Sequence, residues 1–276
     1  MRIISWNVNG FRSAARKNAL NRLIREYSPD LLFLQELKCT EHEALEISKI
    51  YANSLLGDYI WHVDGSTIPG RHGVGMFIKE ELLDELESTG DFLWIGGDNP
   101  IDPLVDGQSE ARLQAFVIKG VLYVHTYTVN TRQDLSRVPQ RKEYDDEIFK
   151  LLEMWSAQGG TKAVVIGDFN VVGEVEDWHG PNISPTTSGM TESERTSFKV
   201  LLRAHNLKDS FRELHPDTIK YSYWSYRGYA RENNKGWRID LALTSEDLFQ
   251  QVESSEILTH VEGSDHAPII LELRDM

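Results

Sequence analysis

The 276-residue sequence contains one cysteine, Cys39, and no apolar run approaching the roughly 20 residues that span a bilayer. A single thiol excludes an internal disulfide and fits a reducing compartment. Nothing around Cys39 resembles a thiol enzyme, so it reads as a small buried hydrophobe. The opening Met-Arg-Ile-Ile-Ser lacks the apolar length of a secretion signal, and the expected location is intracellular, cytoplasmic or nuclear depending on the organism. There is no long Pro/Gly/Ser linker, no short-period repeat and no low-complexity tract, so one domain over residues 1–276 is expected. Positive charge is scarce. The 29 Lys and Arg stand against 43 Asp and Glu, a net charge of −14 that argues against a general polyanion binder.

What is present is an ordinary core-forming composition, 40% hydrophobic and 10% aromatic, with unevenly placed charge. Ten acidic residues from Glu80 to Glu110 run without a Lys or Arg among them and read as a solvated face. Three basic segments are candidates for one phosphate-facing surface: Arg12, Arg16, Lys17, Arg22 and Arg25; Arg132, Arg137, Arg141 and Lys142; Lys220, Arg227, Arg231, Lys235 and Arg238.

Short β-branched runs predict strands at Ile3 to Trp6, Leu31 to Leu34, Val74 to Ile78, Leu113 to Ile118, Val121 to Val129, Ala163 to Ile166, Ile239 to Leu243 and Ile269 to Leu273. Helical periodicity predicts helices at Ala14 to Tyr27, His42 to Leu55, Arg141 to Trp155 and Glu192 to Ala204. Several strand pairs have no helix between them. The expected fold class is therefore α/β, a four-layer sandwich of two packed mixed β-sheets flanked by helices.

Polar residues gather where predicted strands end. Trp6-Asn7-Val8-Asn9-Gly10 closes an apolar strand with amides, a pattern that an Asn-rich turn also explains. In Leu34-Gln35-Glu36-Leu37-Lys38 a carboxylate follows a strand; it suits a hard cation, which takes oxygen ligands, and equally suits a surface ion pair. Gly167-Asp168-Phe169-Asn170 offers a carboxylate and an amide two residues apart, which on extended chain point the same way; the Asp can deprotonate a water while the Asn holds a phosphate oxygen, or the pair can form an Asx turn. In Gly263-Ser264-Asp265-His266 the neighbouring Asp and His face opposite ways, so His266 needs another carboxylate to hold its tautomer, and Asp240 is the best candidate. Tyr221-Ser222-Tyr223-Trp224-Ser225-Tyr226 with Trp237 supplies flat side chains for a sugar or base, or for a core. Tyr127 and Asn130 add a phenol and an amide able to reach a phosphate.

In order, the blocks WNVNG, LQELK, GDFN, YSYWSYRGYARENNKGWRID and GSDHAP resemble the signatures of the exonuclease III and AP (apurinic/apyrimidinic) endonuclease family, within the endonuclease/exonuclease/phosphatase superfamily. The likeness runs from Arg2 to about Leu273. It implies a magnesium-dependent DNA phosphodiesterase of base-excision repair, with manganese as a substitute. The expected partner is double-stranded DNA with abasic sites or 3′ ends, acted on by a monomer away from any membrane. By resemblance, Glu36 binds the metal with Asn7, Asn9 and Asp265 near it. Asp168 aligns the attacking water, Asn170 and Tyr127 contact the phosphate, and Asp240 orients His266. Asn130, Tyr223, Trp237, Ile239, Arg112 and Arg231 bind substrate.

The chain departs from the family in its loops. Val129-Asn130-Thr131-Arg132 lacks the usual proline and glycine, and Glu110-Ala111-Arg112 replaces Glu-Gly-Arg. Arg71-His72-Gly73-Val74-Gly75 stands for Tyr-Ser-Gly-Val-Ala, the run after GDFN is altered at Gly173 to Asp177, and Thr187-Ser188-Gly189-Met190 lacks an expected amide. Two other readings remain: a magnesium phosphatase or phospholipase-like hydrolase of the same superfamily, and a non-catalytic DNA-binding module.

Overall fold

A computed structural model describes all residues except 52–55, 69, 96–103, 106–107 and 275–276. The first half comprises β1 (Arg2–Asn7), α1 (Phe11–Arg16), α2 (Ala19–Tyr27), β2 (Leu31–Gln35), α3 (Glu41–Tyr51), β3 (Tyr59–Asp64), β4 (Val74–Lys79), α4 (Glu80–Thr89) and β5 (Phe92–Trp94). Then come β6 (Leu104–Val105), β7 (Gln108–Ser109), β8 (Leu113–Ile118), β9 (Val121–Tyr127), α5 (Val138–Ala157), β10 (Ala163–Asp168) and α6 (Glu192–Ala204). The chain continues through β11 (Leu207–Asp209), α7 (Ser210–Leu214), β12 (Asp240–Ser245), α8 (Glu246–Phe249), β13 (Val252–Ile257) and β14 (Ile269–Leu273).

Two six-stranded mixed sheets form, ordered β13-β14-β1-β2-β4-β3 and β11-β12-β10-β9-β8-β5. Each has one parallel pair near its centre, β1 with β2 and β10 with β9, flanked by antiparallel partners. The period-2 alternation of strands explains the layering. Ile3, Leu31 and Phe33 face the other sheet and meet Phe116, Tyr123, Val164 and Ile166. Their neighbours Ile4, Leu32 and Leu34 face outward onto Leu20, Leu23 and Ile24 of α2. On the opposite side Val124, Val165 and Leu243 pack under Tyr144, Ile148 and Leu152 of α5 and Phe198 of α6. Sheets apolar on both faces must be covered on both, and the four-layer α/β sandwich is the outcome.

Several expected elements shift. The helix expected at Ala14 to Tyr27 is broken at Lys17 and Asn18, where Asn18 takes a left-handed φ of +56°. Asn is among the few residues that adopt that conformation at low cost, and both pieces still bury their apolar faces. The helix expected at His42 to Leu55 is described as Glu41–Tyr51, with 52–55 outside the described residues.

The acidic stretch is not one solvated face. Its first part is α4, which buries Leu86, and its last residue, Glu110, is buried between Arg112 and Arg137. Asp98, Asp102 and Asp106 lie outside the described residues. Nor do the basic segments form one phosphate-facing surface. Arg137, Arg141 and Arg238 are buried and neutralised internally by Glu110, by Asp145 and by Asp177 with Asp209. A buried guanidinium without such a carboxylate would be costly.

Candidate active site

The sheets bring their polar strand ends together on one rim. β1 runs into Asn7, β2 into Glu36, β10 into Asp168, and β12 starts at Asp240 opposite Asp168 in register. Backbone at this rim is bent. Asn9, Glu36 and Asn170 all take left-handed φ values of +47°, +54° and +46°. Asn takes this region at low cost, but for Glu36 it costs roughly 1–2 kcal/mol and persists only because the surroundings hold it. Glu36 is so held: its carbonyl accepts the Gly10 N–H at 2.8 Å, and the next two N–H groups donate to Gly73 and His72. Gly167, at φ +146°, has no alternative, since a Cβ there would lie 1.8 Å from the Thr126 carbonyl oxygen.

Asn7 is the centre of the arrangement. Buried at the end of β1, its Nδ2 donates to Asp168 Oδ2 at 2.9 Å and to Glu36 Oε1 at 3.2 Å, joining carboxylates from the two sheets. Its Oδ1 accepts the Asn9 N–H. Asn9 in turn donates from Nδ2 to Asp265 Oδ1 at 2.9 Å and accepts from Lys38.

On the β10 side, Asp168, Asp240 and His266 are all buried. His266 Nδ1 lies 2.8 Å from Asp240 Oδ2, which also accepts the Ser222 hydroxyl at 2.6 Å. Burial opposes charge on His266, yet Asp240, by charge and hydrogen bond, raises it to about 10, so it is an imidazolium donating to Asp240 at neutral pH. Burial and the Asp240 charge push Asp168 up to about 7, against the opposing effects of His266 and Asn7. The three offer ligand atoms within 4.8 Å of one another and form a group able to hold a metal ion.

On the β2 side, burial alone would raise Glu36, but Lys38 at 2.8 Å and the Tyr127 hydroxyl at 2.7 Å bring it down to about 2. This carboxylate opens on the cleft and stays ionised. With the Asp265 carboxylate and the Asn9 amide nearby, the donors are all oxygens, the set that a hard divalent cation takes.

A cleft of about 630 Å³ exposes Glu36, Tyr127, Asn130, Asp168, Asn170, Asp265 and His266, with Tyr223, Trp237 and Ile239 as an apolar wall. Tyr223 and Trp237 exchange backbone hydrogen bonds at 2.9 Å, and Trp178 braces the Trp237 ring edge-on at 4.9 Å. The structure thus gathers Asn9, Glu36, Tyr127, Asn130, Asp168, Asn170, Tyr223, Trp237, Ile239, Asp265 and His266 on one cleft, with Asn7 and Asp240 directly behind.

Two expected substrate contacts are placed elsewhere. Arg112 is buried beneath the Tyr127 ring, and Arg231 donates to the carbonyls of Thr259, Val261 and Ser264. Neither lines the cleft. Asn170 also differs from expectation: its left-handed turn takes it off extended chain, its N–H donates to Asp168 Oδ1 in an Asx turn, and its side chain bonds Thr128 and Asn130. The motif is an Asx turn, and that turn faces the cleft. Sequence reasoning missed Gln133, Thr186 and Ser188 in the cleft wall and Ser222 behind Asp240. Ser222, inside the aromatic block, and Ser188, in the altered Thr187-Ser188-Gly189-Met190 run, carried a signal in the sequence.

The sequence pattern of the Endonuclease/Exonuclease/phosphatase family matches residues 4–266. An exodeoxyribonuclease of Bacillus subtilis (strain 168) is 30% identical over 273 residues, covering 98% of this chain and 98% of that protein. The DNA repair nuclease APEX1 of Danio rerio is 33% identical over 274 residues, covering 99% of this chain and 82% of that one. The crystal structure of AP endonuclease LMAP from Leishmania major superposes with a TM-score of 0.83 at 25% identity, covering 100% of this chain and 88% of its own. Among the described residues no helix is long and apolar enough to cross a membrane.

Proposed function

The chain belongs to the endonuclease/exonuclease/phosphatase family, in its exonuclease III and AP endonuclease branch, and on that premise we propose that it is a magnesium-dependent DNA phosphodiesterase. It incises 5′ to abasic sites, removes nucleotides and blocks from 3′ ends, or does both. The observation that carries this reading is the single amide, Asn7, linking an ionised cleft carboxylate to a buried Asp-His-Asp group beside an apolar wall.

Glu36, with Asp265 and Asn9 alongside, would hold the magnesium, and manganese would substitute. The Asp168 group is less suited, because His266 as imidazolium has no free lone pair and a nitrogen ligand is a poor match for so hard an ion. Bound at Glu36, the metal would neutralise phosphate charge and stabilise the leaving oxygen.

Everything else falls to the chain itself. Asp168, ionising near neutrality, takes the proton of the attacking water, the match of base to working pH that general-base catalysis favours. His266, fixed by Asp240, presents a cation and a donor to the phosphate oxygens on which charge develops. Tyr127, Asn130 and Asn170 line the same cleft and would meet the phosphate. Tyr223, Trp237 and Ile239 form the apolar wall against which the base-free sugar would pack. Incision at an abasic site would leave a 3′-hydroxyl and a 5′-deoxyribose phosphate.

The test is cleavage of a labelled duplex carrying one abasic-site analogue, beside an undamaged duplex with a recessed 3′ end, with magnesium and with chelator. Incision at the lesion, abolished by chelator, is expected. Digestion from the 3′ end alone would assign an exonuclease. Hydrolysis of inositol phosphate or sphingomyelin by folded protein that cuts neither DNA would overturn the reading.

A further inference from the structure

Behind Tyr127 lies an ion cluster that the chemistry above does not use. Arg112 is only 2% exposed, with its guanidinium carbon 4.2 Å from the centroid of the Tyr127 ring. Its nitrogens are engaged in three directions: Nε donates to Glu110 at 2.5 Å, Nη1 to the Tyr127 carbonyl at 3.0 Å, and Nη2 to His72 Nδ1 at 2.7 Å. Arg137 grips Glu110 from the other side, its Nη2 lying 2.9 Å from both carboxylate oxygens. The left-handed φ of +52° at Ala111 is the reversal between Glu110 and Arg112.

An arginine can only donate, so His72 Nδ1 must accept; the ring is neutral and its proton sits on Nε2, which faces Glu110 at 3.5 Å. His72 also stands beside the Tyr127 ring, centroids 6.2 Å apart. Its own backbone, at φ +56°, accepts the Lys38 N–H at 2.8 Å, and Gly73 accepts the Leu37 N–H at 3.1 Å. One residue therefore closes the ion cluster and pins the turn that carries Glu36.

We infer that Arg112 and His72 are positioning residues for Glu36, Arg112 acting through the Tyr127 hydroxyl and His72 through the Glu36–Lys38 turn. The inference rests on the reading of Glu36 as the metal ligand. The phenol meets Glu36 Oε1 at 2.7 Å, and the ring cannot tilt away without leaving the guanidinium beneath it. Groups that orient a metal ligand typically influence affinity by about 10- to 100-fold although they never touch the ion.

The experiment is titration of the full chain with Mn²⁺, following free ion by electron paramagnetic resonance, so the readout does not depend on turnover. Arg112→Lys and His72→Asn are compared with the parent, each also in a Tyr127→Phe background, with thermal unfolding as control. Asn tolerates the left-handed backbone, so His72→Asn keeps a folded variant in hand. Arg112→Lys is expected to weaken Mn²⁺ binding by about 10-fold, an effect that disappears in Tyr127→Phe because the hydroxyl link is already cut. His72→Asn is expected to weaken binding in both backgrounds. Equal weakening by Arg112→Lys with and without the hydroxyl, or unchanged affinity in folded His72→Asn, would overturn the corresponding assignment. Mn²⁺ affinity indifferent to Glu36→Gln would instead overturn the metal reading beneath it.

Discussion

Glu36 and Asp168 stand at the ends of central strands in opposite sheets and share one amide donor, yet they are held in opposite states. Both are buried enough that desolvation would raise them. The difference lies in their partners. Glu36 has the Lys38 ammonium and the Tyr127 hydroxyl and falls to about 2; Asp168 has the Asp240 carboxylate close by and rises to about 7. Two groups of the same chemistry thus become a permanent anion suited to a cation and a base poised near neutrality. Asn7 donates to both and keeps them in fixed relation.

The comparison breaks most sharply at the base. Asp168→Asn is expected to lower kcat by about 1,000-fold in duplex cleavage. The variant keeps only one of the two acceptor oxygens that Asn7 Nδ2 and the Asn170 N–H engage, a cost independent of pH. Because the folded value is raised from 3.8, the parent loses stability as pH climbs from that value to about 7, and the variant escapes this loss, which thermal unfolding at pH 5 and 8 would reveal.

The same ionisation sets the next prediction. Cleavage should rise with pH along a limb centred near 7, so that at pH 5 the rate is about 100-fold below its plateau, whereas His266 stays protonated to about 10. A flat profile between pH 5 and 8 with chemistry rate-limiting would contradict Asp168 as the base.

Asn7→Ala severs the link itself. Activity is expected to fall by about 10-fold and stability by about 1–3 kcal/mol, the usual cost of stranding buried acceptors, as read from urea unfolding. The smallest effect falls at Lys38, which competes with a cation for Glu36. Removing a partly exposed ion pair worth about 0.2–1 kcal/mol, Lys38→Met should tighten Mn²⁺ binding by roughly one- to fivefold.

Much of this site could be read from the sequence because its residues cluster at strand ends in short blocks. The strands at Leu113–Ile118 and Ile269–Leu273 and the helix at Glu192–Ala204 match their expected bounds, each having a clean apolar pattern. Six strands among the described residues went unread, and four of them are only two or three residues long. Tyr59–Asp64 is an edge strand with exposed Ile60, and Val252–Ile257 carries Glu253 and Glu256 among its few apolar residues, so neither shows a continuous run. The Asp240–His266 contact was inferred from the need of His266 for a second carboxylate, and the geometry places them 2.8 Å apart. The bridge from Asn7 to Asp168 was not legible, for it joins residues 161 positions apart in chain and in different sheets. Burial of Arg112 was equally hidden, since its neutralising partners are set by the packing of loops.

Binding of Mn²⁺ by Glu36→Gln and Asp168→Asn, measured side by side on folded protein, tests the division of labour most directly. The account predicts that Glu36→Gln weakens the ion by at least about 10-fold while Asp168→Asn binds it much as the parent does. Loss of the ion from Asp168→Asn with Glu36→Gln unaffected would place the metal on the Asp168, Asp240 and His266 group and contradict it.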